Sequence, residues 1–230
     1  MRYERYVTTL ITDFAIEALK NFDQEKPFCL LYFHKAPHRN WMPDSKHLTM
    51  YDGVDIPMPE TFFDDYQTRS DAARQQDMEV INLYNSTDMK IHSTGKEEKY
   101  SGGNEAFRMN APENWRRLYN SLTDEQRKAW DTAYEPKNRA FLEANLSGVE
   151  LAKWKYQRYI KDYLRCVASV DDNIGRLLDY LDEHGLTENT VIIYTSDQGF
   201  YLGEHGWYDK RFMYEESLGM PLIIRYPQEI

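Results

Sequence analysis

The sequence predicts an α/β fold in which a central, mostly parallel sheet is flanked by helices. Three short apolar runs, at residues 28–33, 191–195 and 221–225, have the length and continuity of strands that are buried on both faces. Helical patterns precede the first two runs, and this alternation of helix and strand favours a parallel sheet. A chain of 230 residues is long enough to bury one sizeable core.

The helices are predicted from apolar spacing and from capping residues. Residues 11–19 repeat apolar side chains at helical spacing, with Thr8 or Thr9 as the predicted cap. A longer pattern over residues 160–181 predicts a core-facing helix, which Gly185 is placed to end with a left-handed cap.

The sequence between these helices predicts a polar insertion over residues 39–147. Prolines and Gly53 indicate a long loop at 39–62, and residues 64–90 have the pattern of a weakly amphipathic helix. A glycine-containing, polar stretch at 91–112 predicts a surface excursion. The Thr-Asp-Glu-Gln run at 123–126 fits a capping box that begins another helix.

Composition excludes some classes of protein. A net charge of −10 argues against a general nucleic-acid coat, because such proteins present a basic face. No apolar run approaches the ~18 residues of a membrane span, and the first residues do not have a signal-peptide pattern. Cys29 and Cys166 lie in apolar or helical surroundings, and we expect packed thiols.

Polar clusters follow two of the predicted strands, at residues 34–38 and 196–199. Ligands in open α/β sheets bind beyond the carboxyl ends of strands, so both clusters are candidate site residues. Asp197 and Gln198 offer a carboxylate and an amide oxygen, which suit a hard cation such as calcium. A cation beside anion-binding groups indicates phosphoryl- or sulfuryl-group chemistry. The groups suited to an anion are Lys35, His38, Arg39, Lys210 and Arg211.

Each candidate also has a structural interpretation. A carboxylate at a strand end often forms a turn or a helix cap, and Lys35 and Lys210 have the residue type of ordinary solvated lysines. His38 can equally bond a backbone carbonyl group. The sequence leaves both interpretations open at this point.

Two longer segments resemble the type I sulfatases, which belong to the alkaline phosphatase-like superfamily. Residues 191–227 resemble the second signature region of that family, with Thr-Ser-Asp-Gln-Gly, Leu-Gly-Glu-His-Gly, a lysine and a final apolar strand. The Lys-Ala-Pro-His run at 35–38, with Trp41 and Pro43, resembles the family's central histidine segment. The resemblance implies a partial sulfatase sandwich, with residues 1–230 forming part of the N-terminal catalytic domain.

The resemblance also implies roles for individual residues. Asp197 matches the calcium-binding aspartate, and Gln198 stands where the family usually has asparagine or histidine. Lys210 matches the lysine that contacts the sulfate and the leaving oxygen, and His38 matches the histidine that assists leaving-group departure. Further substrate-binding residues expected from position are Lys35, His205 and Trp207, with loop packing as the alternative for the last two.

The substrate implied by the resemblance is a sulfated carbohydrate. The run at 35–43 is similar to sulfatases of glycosaminoglycan or mucin-type sugars, especially those acting on N-acetylglucosamine 6-sulfate. The family implies one Ca²⁺ ion and a periplasmic, secreted or lysosomal location. It also implies a formylglycine nucleophile made in a Cys/Ser-x-Pro-Ser-Arg segment, and this sequence has no such segment. We therefore expect the middle portion of such an enzyme, without the C-terminal subdomain.

Two other classes compete with this interpretation. One is a phosphatase or phosphodiesterase of the same superfamily, but such sites favour two zinc ions with histidine-rich ligands. Asp197 and Gln198 disfavour zinc. The other class is a non-catalytic glycan-binding or interaction protein on the same scaffold.

We predict that these 230 residues, expressed alone, hydrolyse no sulfate ester. The reason is that no segment for formylglycine formation occurs among them. The measurement is turnover of 4-nitrocatechol sulfate by the purified chain. Multiple turnovers, with contaminating sulfatase excluded, would point to a different nucleophile.

Overall fold

The computed structural model describes residues 4–23, 25–91 and 105–229. Within these ranges, no helix is long and apolar enough to cross a membrane. Short 3₁₀ turns occur at Val80–Asn82, Thr187–Asn189 and Glu204–Gly206. The helices are α1 Val7–Lys20, α2 Asp71–Gln75, α3 Glu105–Asn120, α4 Asp124–Ala144, α5 Gly148–Glu183 and α6 Glu215–Leu218; the strands are β1 Ile192–Thr195, β2 Tyr201–Leu202, β3 Tyr208–Asp209 and β4 Leu222–Arg225.

The longest element is α5, whose 36 residues confirm the predicted core-facing helix. Gly185 follows it with φ +66°, which confirms the left-handed cap, and the Leu186 N–H donates to the Leu181 carbonyl at 2.9 Å. Near this end α1 packs against α5, with Leu19 buried beside Leu181.

The first helix is confirmed, but its predicted cap is wrong. The helix begins after Tyr6, so Thr8 lies inside it and is buried. Thr12 donates its hydroxyl to the Thr8 carbonyl at 3.0 Å. Such a bond to the carbonyl one turn back satisfies a threonine hydroxyl inside a helix.

The capping box before α4 is confirmed in both directions. The Gln126 N–H donates to the Thr123 hydroxyl at 3.2 Å, and the Thr123 N–H donates to the Gln126 side chain at 2.9 Å. On the buried face of α4, Trp130 stacks on Tyr134 with ring centroids 3.9 Å apart.

The elements predicted within residues 39–147 are confirmed only in part. Residues 39–62 form a loop as predicted, but the helix predicted at 64–90 is wrong, because only α2 and one 3₁₀ turn form there. Asp64 accepts a hydrogen bond from the Tyr66 N–H at 2.9 Å, and such local bonds compete with helix formation. Residues 92–104 of the predicted surface excursion lie outside the described residues, and 105–112 belong to α3.

The main apolar core joins this insertion to α5. Aromatic side chains dominate the contact, and Trp41 meets Tyr159 edge-on at 4.6 Å. Because both sides contribute buried residues, the insertion is part of the folded core. Its buried members include Trp41, Phe62, Val80, Leu83, Met89, Tyr156, Tyr159 and Ile160.

One buried carboxylate, on Asp162, has cationic partners from two parts of the chain and a hydroxyl partner from a third. Lys90 donates to Asp162 at 2.7 Å and Arg165 at 2.8 Å, and Arg158 lies 4.0 Å away. The Tyr134 hydroxyl of α4 also donates to it. Burial alone would raise the pKa of Asp162, but the surrounding cations outweigh burial and hold that pKa below its ordinary value.

The strand pairing differs from the predicted parallel arrangement. β1 and β4 pair antiparallel, with Ile192 opposite Arg225 and Thr195 opposite Leu222. β2 and β3 form a second antiparallel pair. Among the described residues no parallel pair occurs, so a parallel sheet is not visible in this part of the fold.

The predicted burial of the strands on both faces is also wrong for the described residues. The run at 28–33 forms no strand, and Leu31 and Phe33 are 71% and 74% exposed. In the β1–β4 pair, Ile193 and Ile223 are each 60% exposed. Of the three apolar runs, the second and third therefore form strands and the first does not, and each run carries largely exposed side chains.

Replacing Asp162 by alanine is expected to destabilise the protein by about 3–5 kcal/mol, because it leaves buried cations without a counter-charge. Urea unfolding of the variant measures this loss. The matched control is Lys153→Ala, since Lys153 forms an exposed pair with Glu150 at 2.9 Å and its loss should cost less than about 1 kcal/mol. Equal losses for the two variants would contradict the role assigned to the buried carboxylate.

Candidate functional site

The first part of the site is the histidine segment, which we define as residues 34–41. His38 is exposed, and its Nδ1 lies 2.7 Å from the carbonyl oxygen of Arg39. This is the backbone bond that the structural interpretation expected, but it uses only one ring nitrogen. Because Nδ1–H donates to the carbonyl, Nε2 remains for another partner. Lys35, the other cation of this segment, is exposed.

His34 lies at the inner end of the histidine segment. Its two ring nitrogens are buried without a hydrogen-bond partner, and its ring meets Tyr32 edge-on at 4.4 Å. Burial lowers the pKa of His34 and favours the neutral imidazole. Positive charge in this segment therefore falls mainly to Lys35 and Arg39.

The second part is the aspartate segment, defined as residues 196–211. It begins with a turn in which the Ser196 hydroxyl donates to the Gln198 carbonyl at 2.8 Å. The Gly199 N–H donates to the Ser217 carbonyl at 2.9 Å. A Cβ atom on Gly199 would lie 2.2 Å from the Glu216 carbonyl oxygen, so only glycine fits this approach. The turn that presents Asp197 thus rests on α6.

The donor atoms of Asp197 and Gln198 fit a hard cation. Asp197 is exposed, and among the described residues no basic side chain forms an ion pair with it. Its carboxylate is therefore available, and the adjacent amide oxygen is of the type that calcium accepts. Within the described ranges no group of three acidic, histidine or cysteine side chains converges. The calcium role of Asp197 and Gln198 stays a prediction.

Lys210 is not an ordinary solvated lysine. Its side chain is 13% exposed, its Nζ lies 3.4 Å from Asp209 Oδ1, and the ammonium group is 5.5 Å from the centre of the Phe200 ring. Packing against a ring and a carboxylate restricts this side chain. Arg211, by contrast, is 64% exposed and pairs with Asp209 at 2.9 Å.

His205 and Trp207 take the packing role that the sequence left as the alternative. His205 Nδ1 lies 2.8 Å from Asp64 Oδ2, and its ring packs against Trp207. Burial opposes the charge on Asp64, but bonds from the Tyr66 N–H, His205 and Arg69 lower its pKa to about 2. Trp207 has 0% exposure, which leaves no surface for a sugar. Both side chains hold the loop before Lys210.

The histidine and aspartate segments are in contact. The Arg39 guanidinium lies 5.1 Å from the centre of the Tyr208 ring, and Trp41 meets Phe200 edge-on at 6.4 Å. His38 and Lys210 are therefore each next to a residue that joins the two segments. Whether these two residues act together on one substrate stays a prediction.

The structure changes the interpretation of Arg39 and shows a partner for it, Asp88, that the sequence did not predict. Arg39 was expected to offer its charge to an anion, but it pairs with buried Asp88 at 2.5 Å. The Arg39–Asp88 and His205–Asp64 pairs were not predicted, because the partners lie 49 and 141 residues apart in the chain. No local pattern marks such a pairing.

An exposed carboxylate with an adjacent amide, a restrained lysine and a histidine with one free ring nitrogen are the residue types expected of a hydrolase that acts on anionic esters. The family model described as Sulfatase matches residues 1–230. The chain therefore belongs to the sulfatase family.

Three relatives bear on this assignment. The chain is 48% identical over 226 residues to an N-acetylglucosamine-6-O-sulfatase of Bacteroides thetaiotaomicron, covering 98% of this chain and 39% of that protein. It is 40% identical over 73 residues to human iduronate 2-sulfatase, covering 31% of this chain and 13% of that one. The solved structure of BT4656 with its substrate D-glucosamine-2-N,6-O-disulfate has a TM-score of 0.88 and 46% identity, covering 98% of this chain and 44% of that one.

These comparisons confirm the sulfatase fold expected from the sequence. The chain spans about two fifths of the length of the first of these relatives.

Replacing Gly199 by alanine is expected to displace the Asp197 turn and to destabilise the protein by roughly 1–3 kcal/mol, since the new methyl group would overlap backbone atoms of α6. Thermal unfolding measures this effect. Gly175→Ala is the matched control, because no atom lies within 4 Å of its Cβ position on α5. That variant should gain up to about 1 kcal/mol from helix propensity. A Gly199→Ala protein as stable as the wild type would contradict the close approach.

Proposed function

We propose that the protein containing this chain hydrolyses sulfate esters of sulfated sugars, and that its substrate is 6-O-sulfated N-acetylglucosamine or glucosamine. The observation that carries the proposal is 48% identity over 98% of the chain to an N-acetylglucosamine-6-O-sulfatase. Identity at this level extends over both the histidine and the aspartate segments. The substrate named for BT4656, a 6-O-sulfated glucosamine, supports the same choice of sugar.

His38 is the proposed general acid. Its Nδ1–H donates to the Arg39 carbonyl at 2.7 Å, which fixes the ring. The doubly protonated imidazolium gives its Nε2 proton to the departing sugar oxygen and is left as the neutral Nδ1–H tautomer. Such a proton transfer is worth ~10²- to 10⁴-fold in rate. A sugar alkoxide is a poor leaving group, so hydrolysis of the sugar sulfate depends strongly on protonation of the leaving oxygen.

Lys210 is the proposed cation for the sulfate and the leaving oxygen. Its 13% exposure and its contacts with Asp209 and Phe200 hold the ammonium group in a restricted position. A positioned charge of this kind stabilises the transition state more than a mobile one, because it does not reorganise during the reaction. Lys35, which is exposed, is proposed to contact the anionic substrate. His205 and Trp207 support Lys210 from inside the loop.

Asp197 and Gln198 are the proposed calcium ligands. When bound, the ion supplies positive charge beside the sulfuryl oxygens. We assign no step to the formylglycine of the family, since these residues do not include its precursor. Gln198 keeps the amide oxygen of the more usual asparagine but carries one more methylene, so its ligand oxygen reaches further from the backbone.

The test is sulfate release from N-acetylglucosamine 6-sulfate by a full-length sulfatase carrying these residues. Lys210→Ala should lower kcat/KM, and the decrease should correspond to a loss of about 2–4 kcal/mol of transition-state stabilisation. Ion chromatography of the released sulfate measures the rate.

Lys20→Ala is the matched control, because Lys20 is 55% exposed on α1 and pairs only loosely with Glu17 at 3.9 Å. Its kcat/KM should equal that of the wild type. An unchanged rate for Lys210→Ala would make Lys210 a packing residue. Phosphate release from the phosphate ester, without sulfate release from the sulfate ester, would favour a phosphatase of the same superfamily.

A further inference from the structure

We propose that Arg39 is a positioning residue that sets His38 against the Lys210 strand, with buried Asp88 as its anchor. The inference rests on the proposed function, since it concerns the geometry of the general acid. Arg39 touches neither reacting atom in this arrangement. It acts through the backbone of the histidine segment and through the ring of Tyr208.

The anchor is a two-point ion pair. Arg39 Nε donates to Asp88 Oδ1 at 2.7 Å, and Arg39 Nη2 donates to Asp88 Oδ2 at 2.5 Å. Two parallel bonds fix the plane of the guanidinium as well as its position. The Asp88 side chain is 0% exposed, and the Tyr84 N–H donates to its Oδ2 at 2.8 Å. The anchor is therefore held by its own loop.

The guanidinium also lies against two aromatic rings. Its central carbon is 5.3 Å from the centre of the Tyr84 ring and 5.1 Å from the centre of the Tyr208 ring. Arginine is attracted to aromatic faces at such distances. Tyr208 is half of β3, and Lys210 follows β3 directly. The Arg39 side chain thus fixes the strand that delivers Lys210.

The backbone of the same residue holds the general acid. The Arg39 carbonyl accepts the Nδ1–H of His38 at 2.7 Å, so Nδ1 keeps its proton and Nε2 is the nitrogen that gains and gives up the transferred proton. The next residue is tied down as well, because Asn40 Nδ2 donates to the Thr87 carbonyl at 2.9 Å. One residue therefore connects the imidazole orientation to the position of the lysine.

Sugar sulfates and aryl sulfates should respond differently to the loss of Arg39. A sugar sulfate needs its leaving oxygen protonated, whereas an aryl sulfate releases a stabilised phenolate and depends little on an acid. Loss of Arg39 should misplace the acid and leave the remaining machinery in place. The two esters should therefore respond differently, whereas general damage to the fold would slow both alike.

The experiment compares Arg39→Ala with Arg127→Ala in a full-length sulfatase carrying these residues. Arg127 is the control because it also lies over a tyrosine, 5.5 Å from the centre of the Tyr119 ring, and pairs with an aspartate at 3.4 Å, but on α4. Arg39→Ala should lower kcat on N-acetylglucosamine 6-sulfate by about 100-fold with little change in KM. On 4-nitrocatechol sulfate the loss should stay below about fivefold. Arg127→Ala should change neither rate.

A second set of variants covers a failure of Arg39→Ala to fold. Arg39→Lys keeps the charge but loses the two-point pair, and Asp88→Asn keeps the shape but loses the charge. Both should show the same preference for the aryl ester. The double variant Arg39→Lys with His38→Ala should hydrolyse the sugar sulfate only slightly more slowly than His38→Ala alone. Equal losses on both esters, or full additivity with His38→Ala, would overturn the inference.

The last measurement separates this inference from the proposed function. If the wild type hydrolyses neither ester, the proposed function fails. Nitrogen-15 NMR of the His38 ring then tests the positioning alone. The wild type should show the Nδ1-protonated tautomer, and Arg39→Lys should shift the ring toward a mixture of tautomers. An unchanged tautomer in that variant would refute the positioning role.

Discussion

The buried charge of Asp162 is the constraint on which the rest of the structure depends. A carboxylate without exposed surface persists only with counter-charges and hydrogen bonds around it. Lys90 comes from the insertion, Arg165 and Arg158 from α5, and the Tyr134 hydroxyl from α4. These groups can satisfy the carboxylate only when the insertion and both helices meet at one place. The ion pairs and hydrogen bonds of Asp162 therefore determine how these elements pack, and apolar contacts add to the same packing.

The positions of the site residues depend on this packed centre. The Tyr159 hydroxyl of α5 donates to the Tyr201 carbonyl at 2.7 Å, and Gly203 lies so close to the Tyr156 ring that a Cβ there would be 2.6 Å away. The aspartate segment is thus seated on the same helix that carries Asp162. On the other side, the loop that ends at Lys90 contains Asp88, the anchor of Arg39. Residues of the site sit near the surface, but their supports are buried.

The apolar strands show the opposite situation. The run at 28–33, which forms no strand, and the β1–β4 pair both carry largely exposed apolar side chains. Contiguous apolar surface of this kind is usual where a protein meets another layer or partner. The burial of these runs was predicted from their apolar composition. Such composition indicates that a surface is normally covered, but it does not identify the residues that cover it.

The sequence by itself determined the helices with strong periodicity and caps, the glycine end of α5, the family, and the two polar segments that carry the candidate site. These features depend on neighbours within a few residues, where spacing and capping chemistry act directly. Only the tertiary structure decided the antiparallel β1–β4 pairing, the loss of the helix expected at 64–90, and the packing roles of His205 and Trp207. It also decided that Arg39 faces Asp88 instead of an anion. Those outcomes depend on residues tens of positions apart, because an ion pair or a buried ring is fixed by what the folded chain brings beside it and not by the local pattern.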